Sequence, residues 1–207
     1  MSNTERREKG LLFLADDDDW AEMKHARRLL WKMNHTDTTD FDGIRAIANE
    51  LLGKSDETTF INPPFTCDYG KNIEVGRNFF TNYNCIILDN AKVTIGDNCL
   101  IAPNVSIYTA GHAVHPDNRA GGWEYGIPVT IGDNVWIGGN TVICPGVTIG
   151  DSAVIGAGSV VTHDIPPMTV AAGNPCRILR AITEDDRKYY FRDREIDPET
   201  RATMDNQ

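Results

Sequence analysis

The chain is short of basic residues, of long apolar runs and of paired cysteines, and each shortage removes a class of function. Lys and Arg number 20 against 30 Asp and Glu, a formal charge of -10. Binding to nucleic acid or to an anionic membrane needs a basic face, so this balance argues against both as general activities. An anionic small ligand stays open, because His163, Arg177 and Arg180 fall together near the end of the chain. No stretch approaches the roughly 20 apolar residues that span a bilayer. The opening MSNTERREKG is charged, and the short run LLFLA meets DDDD at once, so no secretory segment is expected. The five cysteines (Cys67, Cys85, Cys99, Cys144, Cys176) are odd in number and contain no CxxC pair. Buried free thiols in a reducing cytoplasm are the expectation.

What is present divides into three parts. Residues 1–58 read as a helical segment. Trp20, Met23, Ala26, Leu30 and Met33 follow a helical period and predict a helix over 17–34, with the preceding aspartates at its positive end. A second helix is predicted over 38–53, capped by Thr38 or Thr39, striped by Phe41, Ile44, Ala48 and Leu51, and stopped by Gly53. The segment INPPF that follows reads as a rigid extended crossing.

Within 59–170 a period of six takes over. Aliphatic residues stand at 131, 137, 143, 149, 155 and 161, at Ile95, Ile101 and Ile107, and, with Thr81, at Val75 and Ile87. Two positions before many of these comes a small or β-branched partner such as Val93, Cys99, Val105, Val135, Thr141 or Ser159. A helix repeats near 3.6 and a plain strand near 2, so neither explains this spacing. A triangular coil does: each six-residue unit forms one short face, points its aliphatic inward and turns at a glycine or asparagine such as Gly96, Asn98, Gly132 or Asn134. The predicted fold is an all-β solenoid, a left-handed parallel β-helix of hexapeptide repeats. The N-terminal helical segment precedes it, and about four coils of about 18 residues stack within it. Residues 108–128 break the period and must protrude as a loop, since so narrow a coil cannot contain them. Residues 171–207 are expected to close the last coil. A short helix is predicted over 183–193, with Tyr189, Tyr190 and Phe191 packing back, and the last dozen residues are expected to fray.

A packed prism has no interior pocket, so chemistry belongs on its flanks, against the protruding loop or between subunits. His112 in that loop could take and return a proton near neutrality, or could simply hold the loop by bonding its backbone. His115, beside Pro116, is the poorer base and reads more readily as structural. Glu124 could fix the imidazole tautomer or could be solvated. The HxxH spacing admits a zinc reading, but two histidines leave a site incomplete without His163 or a neighbour's carboxylate. Trp136 should point out of a coil face, toward a ligand or a subunit interface. Cys144 gives no case for a nucleophile.

The stretches CDYGKNIEVGRNFFTNYNCIILD, IGDNCLIAPNVSIYTAGHAVHP, PVTIGDNVWIGGNTVICPGVTIGD and GAGSVVTHDIPPMTVAAGNPCRILR, with the helical segment ending in MNH, resemble the hexapeptide-repeat sugar O-acetyltransferases of the maltose, galactoside and nodulation type. The resemblance covers nearly the whole chain. It implies a homotrimer with sites between subunits that moves an acetyl group from acetyl-CoA to a sugar hydroxyl by direct attack, with no metal. It places the catalytic base on His112, to which the reading of the loop's own residues adds Glu124 as a catalytic candidate. Acceptor contacts fall on Asp17 within the run Asp16–Asp19, on Asp68, on Asn82 and on Asp89, with Asn90 adjoining. The acetyl-CoA side falls on Trp136, Gly139, Ala157, Thr162, His163, Arg177 and Arg180. An acyltransferase for an amino sugar or serine is the neighbouring alternative, and a zinc-dependent hydratase-like trimer a more distant one.

Overall fold

A computed structural model describes residues 1–206. Three helices open the chain: α1 (Asn3–Glu8), α2 (Asp17–His35) and α3 (Phe41–Leu51). The first was not expected. Its signature is nonetheless present in the sequence, since Ser2 and Glu5 close a capping box over a single charged turn and a half. In α2, Asp16 is the cap, and Ala26, Leu29, Leu30 and Met33 are buried against the coil. For α3 the cap is Asp40, whose carboxylate accepts the Gly43 amide, rather than Thr38 or Thr39. A carboxylate one or two residues nearer the apolar stripe reaches the first-turn amide that the threonines do not.

The β-helix runs from Phe60 to Ala172 and is left-handed, with three flat parallel sheets. The first face stacks Phe60–Ile61, Phe80–Thr81, Leu100–Ile101, Trp136–Ile137, Val154–Ile155 and Thr169–Ala172. The second stacks Phe65–Cys67, Cys85–Leu88, Ser106–Tyr108, Val142–Ile143 and Val160–Val161. The third stacks Ile73–Val75, Val93–Ile95, Val129–Ile131 and Thr148–Ile149. The coil therefore begins one turn earlier than the visible period of six, because INPPF forms the first turn instead of a separate crossing. Every inward position of the repeat is buried, from Val75 and Ile87 through Ile131, Ile137, Ile143 and Ile149 to Val161.

Asparagine and glycine divide the turns between them. Asn98 and Asn134 take the left-handed conformation (φ 58° and 57°), and Asn78, Asn98 and Asn134 join side chain to side chain up the corner. Gly132 has ordinary φ, but a Cβ there would strike the Asp151 carboxylate and backbone of the next coil. It is needed for close approach of stacked turns, not for turn shape.

The outward rows differ in character. On the first face they read Phe60, Phe80, Leu100, Trp136, Val154 and Val170, apolar from end to end, with Leu100 51% and Trp136 53% exposed. The second face shows Ile86, Val142 and Val160 among polar neighbours, and the third shows Glu74, Thr94, Thr130 and Thr148.

Residues 108–128 leave the corner between the second and third faces. Ala110–Gly111 and Tyr125–Gly126 pair as an antiparallel stem, and a short helix α4 (Pro116–Arg119) lies beyond it. Past the coil, Arg177–Ala181 returns antiparallel to Thr169–Ala172. Residues 183–193 do not form the expected helix. A 3-10 turn over Glu184–Lys188 leads into a hairpin of Tyr189–Phe191 and Arg194–Glu195, turned at Arg192 with φ 51°. Its aromatics favour a strand over a helix, and Tyr189, Tyr190 and Phe191 are exposed rather than packed back. Pro198–Met204, within the stretch expected to fray, form α5, capped by Asp197, and residue 207 lies outside the described residues.

Candidate active site

A cleft of about 500 Å³ opens where the protruding loop meets the N-terminal segment. Asp68, Tyr69, Leu88 and Asn90 reach it from the corner between the second and third faces, and Ala110, His112 and Glu124 from the loop stem. Leu14, Ala15, Trp20 and Met23 enter from the N-terminal segment.

His112 is exposed, and its Nδ1 lies 2.8 Å from the Trp123 carbonyl oxygen. A carbonyl only accepts, so Nδ1 carries the proton and donates, and the Nε2 lone pair is left free. The tautomer that a general base requires is thus held by backbone, and Glu124, one of the two readings left open for it, does not hold it. The Glu124 carboxylate instead accepts from the Asn90 amide at 3.3 Å, and the backbone of Glu124 pairs with Phe13. Burial raises Glu124 above the usual carboxylate range, against the pull of His112. Asp68 is raised as well, by burial against the pull of Arg27. Among the described residues its carboxylate makes no hydrogen bond within the chain, which leaves an unoccupied acceptor in the cleft.

Asp89 does something different from the acceptor contact expected of it. It is fully buried, and its carboxylate accepts the amides of Asp68 at 3.0 Å, Tyr69 at 2.9 Å and Asn72 at 3.3 Å. It therefore shapes the turn that carries Asp68, and its neighbour Asn90 is the one that lines the cleft. Burial outweighs those amides and pushes Asp89 up to about 6. A carboxyl raised on folding binds more protons folded than unfolded, so it favours the folded state at low pH. That contribution falls away as pH rises from the unfolded value near 4 through about 6. Asp89→Asn should flatten this part of the stability profile, read as urea midpoints between pH 4 and 7. An unchanged slope would mean Asp89 does not titrate there.

Asp17 stays outside the cleft, exposed on the first turn of α2. Asp16 is occupied as cap, and Asp19 is buried against Arg7 at 3.0 Å. His115 caps α4 through its Nδ1, which accepts the Asp117 amide at 3.3 Å. Among the described residues no group of three or more His, Cys, Asp or Glu is placed to hold a metal ion. The five cysteines are unpaired, and burial raises their thiols.

The remaining expected residues fall on two edges of the second face. Asn82, Gly139 and Ala157 turn the corner between first and second faces, with Trp136 just before it. Thr162 and His163, whose side chains lie 2.9 Å apart, turn the same corner as Asp68 and the loop. Arg177 is exposed on the returning strand, and Arg180 is held bidentately by Asp186. That contact pulls Asp186 down to about 2. One chain thus gathers His112, Asp68 and Glu124, but not Asn82, Trp136, Gly139 or Ala157.

Three family models match: "Maltose acetyltransferase hexapeptide capping motif" over residues 7–56, "Hexapeptide repeat of succinyl-transferase" over 84–109 and "Bacterial transferase hexapeptide (six repeats)" over 128–163. The galactoside O-acetyltransferase of Escherichia coli K12 is 46% identical over 198 residues, covering 95% of this chain and 98% of its own. The chain belongs to the hexapeptide-repeat sugar O-acetyltransferases. Within that family, nodulation protein L of Rhizobium meliloti is 48% identical over 79% of this chain and 90% of its own. A solved galactoside acetyltransferase in complex with coenzyme A superposes with a TM-score of 0.93, at 45% identity over 95% of this chain and 99% of that one. A maltose O-acetyltransferase from Clostridium difficile 630 gives 0.87 at 48% identity, over 89% and 99%. Trp20, Met23 and Tyr69 are the large side chains of this cleft that sequence reasoning missed, along with Leu14, Ala15, Leu88 and Ala110. For Trp20 the signal was there, but its place on the apolar stripe of α2 read as core.

Proposed function

We propose that the protein transfers an acetyl group from acetyl-CoA to a hydroxyl of a sugar, with His112 as general base. The observation that carries this reading is the His112 Nδ1 contact with the Trp123 carbonyl, which leaves Nε2 as the basic nitrogen of an exposed imidazole that lines a cleft with Asp68 and Glu124. The coenzyme A complex of a protein so similar over 95% of this chain supports the donor, and the galactoside and maltose enzymes support the acceptor class.

The step balances simply. The sugar oxygen attacks the thioester carbonyl while its proton passes to Nε2. The tetrahedral intermediate then collapses with loss of the C–S bond, and the CoA sulfur takes the proton back. No acyl-enzyme is needed, because a thioester is already activated and proximity supplies much of the rest. In this reading Asp68 and Asn90 take hydroxyls of the acceptor, and Arg177 meets a CoA phosphate.

The apolar first face supports the homotrimer. A row of six exposed or half-exposed apolar side chains on a flat sheet is a surface that association would cover. Packing three chains about an axis would bring Trp136, Gly139, Ala157 and Asn82 of one against His112, Thr162 and His163 of the next. Residence in the cytoplasm accords with the five free thiols.

Purified protein incubated with acetyl-CoA and a panel of galactosides, maltose and glucose should release CoA thiol only when sugar is present. Sedimentation should give the mass of three chains. Thiol release indifferent to sugar would overturn the acceptor, and full turnover by a monomer would overturn the shared site.

A further inference from the structure

One large apolar side chain in the cleft is nearly half exposed. The apolar stripe of α2 buries Ala26, Leu30 and Met33 against the coil, yet Trp20, at the head of the same stripe, remains 46% exposed. The turn before it is fixed: Asp16 caps the helix, and Asp19 is locked to Arg7. Trp20 is therefore held over the cleft by a rigid helix start. Met23, one turn on, lines the same cleft, as do Leu14 and Ala15 before the cap. The N-terminal segment thus supplies an apolar wall, while the coil corner and loop supply Asp68, Asn90, His112 and Glu124.

A cleft with one apolar and one hydrogen-bonding side fits a ring whose C–H bonds crowd one face and whose hydroxyls line its edge. We infer that Trp20 is the platform on which the acceptor's pyranose ring stacks, and that it selects cyclic sugars over open-chain polyols. The inference rests on the acetyl-transfer reading and adds to it the residue that discriminates among hydroxyl compounds. Asp68 and His112 alone would accept any polyol, because a hydroxyl on a flexible chain offers the same donor. An indole face rewards only a flat, preformed C–H surface, and an open chain must first be ordered to present one.

The test compares the parent with Trp20→Ala and Trp20→Leu on a methyl pyranoside and on sorbitol, at saturating acetyl-CoA. For Trp20→Ala, the acceptor KM for the pyranoside should rise about 5- to 30-fold, the range of one lost aromatic contact. Its kcat should change far less, the KM for acetyl-CoA should stay put, and sorbitol should be little affected. The preference for the ring then narrows by the same factor. Trp20→Leu keeps an apolar side chain without the flat face and should resemble the alanine variant. A pyranoside KM unchanged in both variants overturns the platform, as does an equal rise for both acceptors. A parent inactive on every sugar instead overturns the acetyl-transfer reading itself, so the two failures are distinct.

Discussion

Replacing His112 by alanine is expected to lower turnover by about 10²–10⁴-fold, the range that a positioned general base contributes, while the KM for acetyl-CoA stays within a few-fold of the parent. The size follows from the chemistry. A sugar hydroxyl is a weak acid and a poor nucleophile, so a proton acceptor in contact with it removes most of the obstacle to attack. The structure adds a sharper comparison. Because Nδ1 donates to the Trp123 carbonyl, the ring also ties the two ends of the loop together, and an alanine removes both functions at once. Asparagine separates them: its side-chain amide can donate to the same carbonyl, but it has no basic nitrogen. His112→Asn should therefore be as slow as His112→Ala if the proton matters, with the loop intact by circular dichroism and sedimentation. An asparagine variant close to the parent rate would assign His112 to holding the loop.

Much of the scaffold was readable because its determinant is local and repeated. An inward side chain every sixth residue admits one solution, and Ile95, Ile101, Ile131, Ile137 and Ile155 all fill it. The protruding loop was readable as its interruption. What escaped was set by contacts that leave no mark on residue type. The group that fixes the His112 tautomer is a backbone carbonyl, identical in every residue, so residue types alone left a backbone bond and an orienting Glu124 both open. Asp89 was assigned by resemblance to the ligand, yet it faces inward toward three amides of the preceding turn. Whether a carboxylate at a coil corner points in or out depends on the turn's own hydrogen bonds. Trp20 was concealed by the opposite effect: the helical period was correct, but a residue patterned for the core stands half exposed in a cleft. The C-terminal hairpin failed for want of period, since Tyr189, Tyr190 and Phe191 run consecutively and fit a buried strand or a helix face equally.

The second large effect concerns the ion pair beneath the cleft. Arg7 and Asp19 meet at 3.0 Å with both side chains almost fully buried, and the guanidinium lies 4.8 Å from the centre of the Tyr69 ring and 5.7 Å from that of Phe13. Removing one partner leaves a charge that water cannot reach. Asp19→Ala should therefore cost about 3–5 kcal/mol, seen as a large fall in the urea midpoint. Taking both charges away is a different matter, because the desolvation of two ions nearly offsets their attraction in such a place. In Arg7→Met with Asp19→Leu, methionine can keep contact with the two rings. What remains lost is the bond from the Asp16 amide to the Asp19 carboxylate, 3.1 Å in the capping box of α2 and worth about 1 kcal/mol. The double variant should accordingly recover most of the single variant's loss. Function supplies an independent reading, since Trp20 follows Asp19 directly and depends on that helix start for its position. The acceptor KM should rise in Asp19→Ala and fall back toward the parent in the double variant, in step with stability. If the double variant is no more stable than Asp19→Ala, the pair itself, and not the isolated charge, holds the N-terminal segment on the coil.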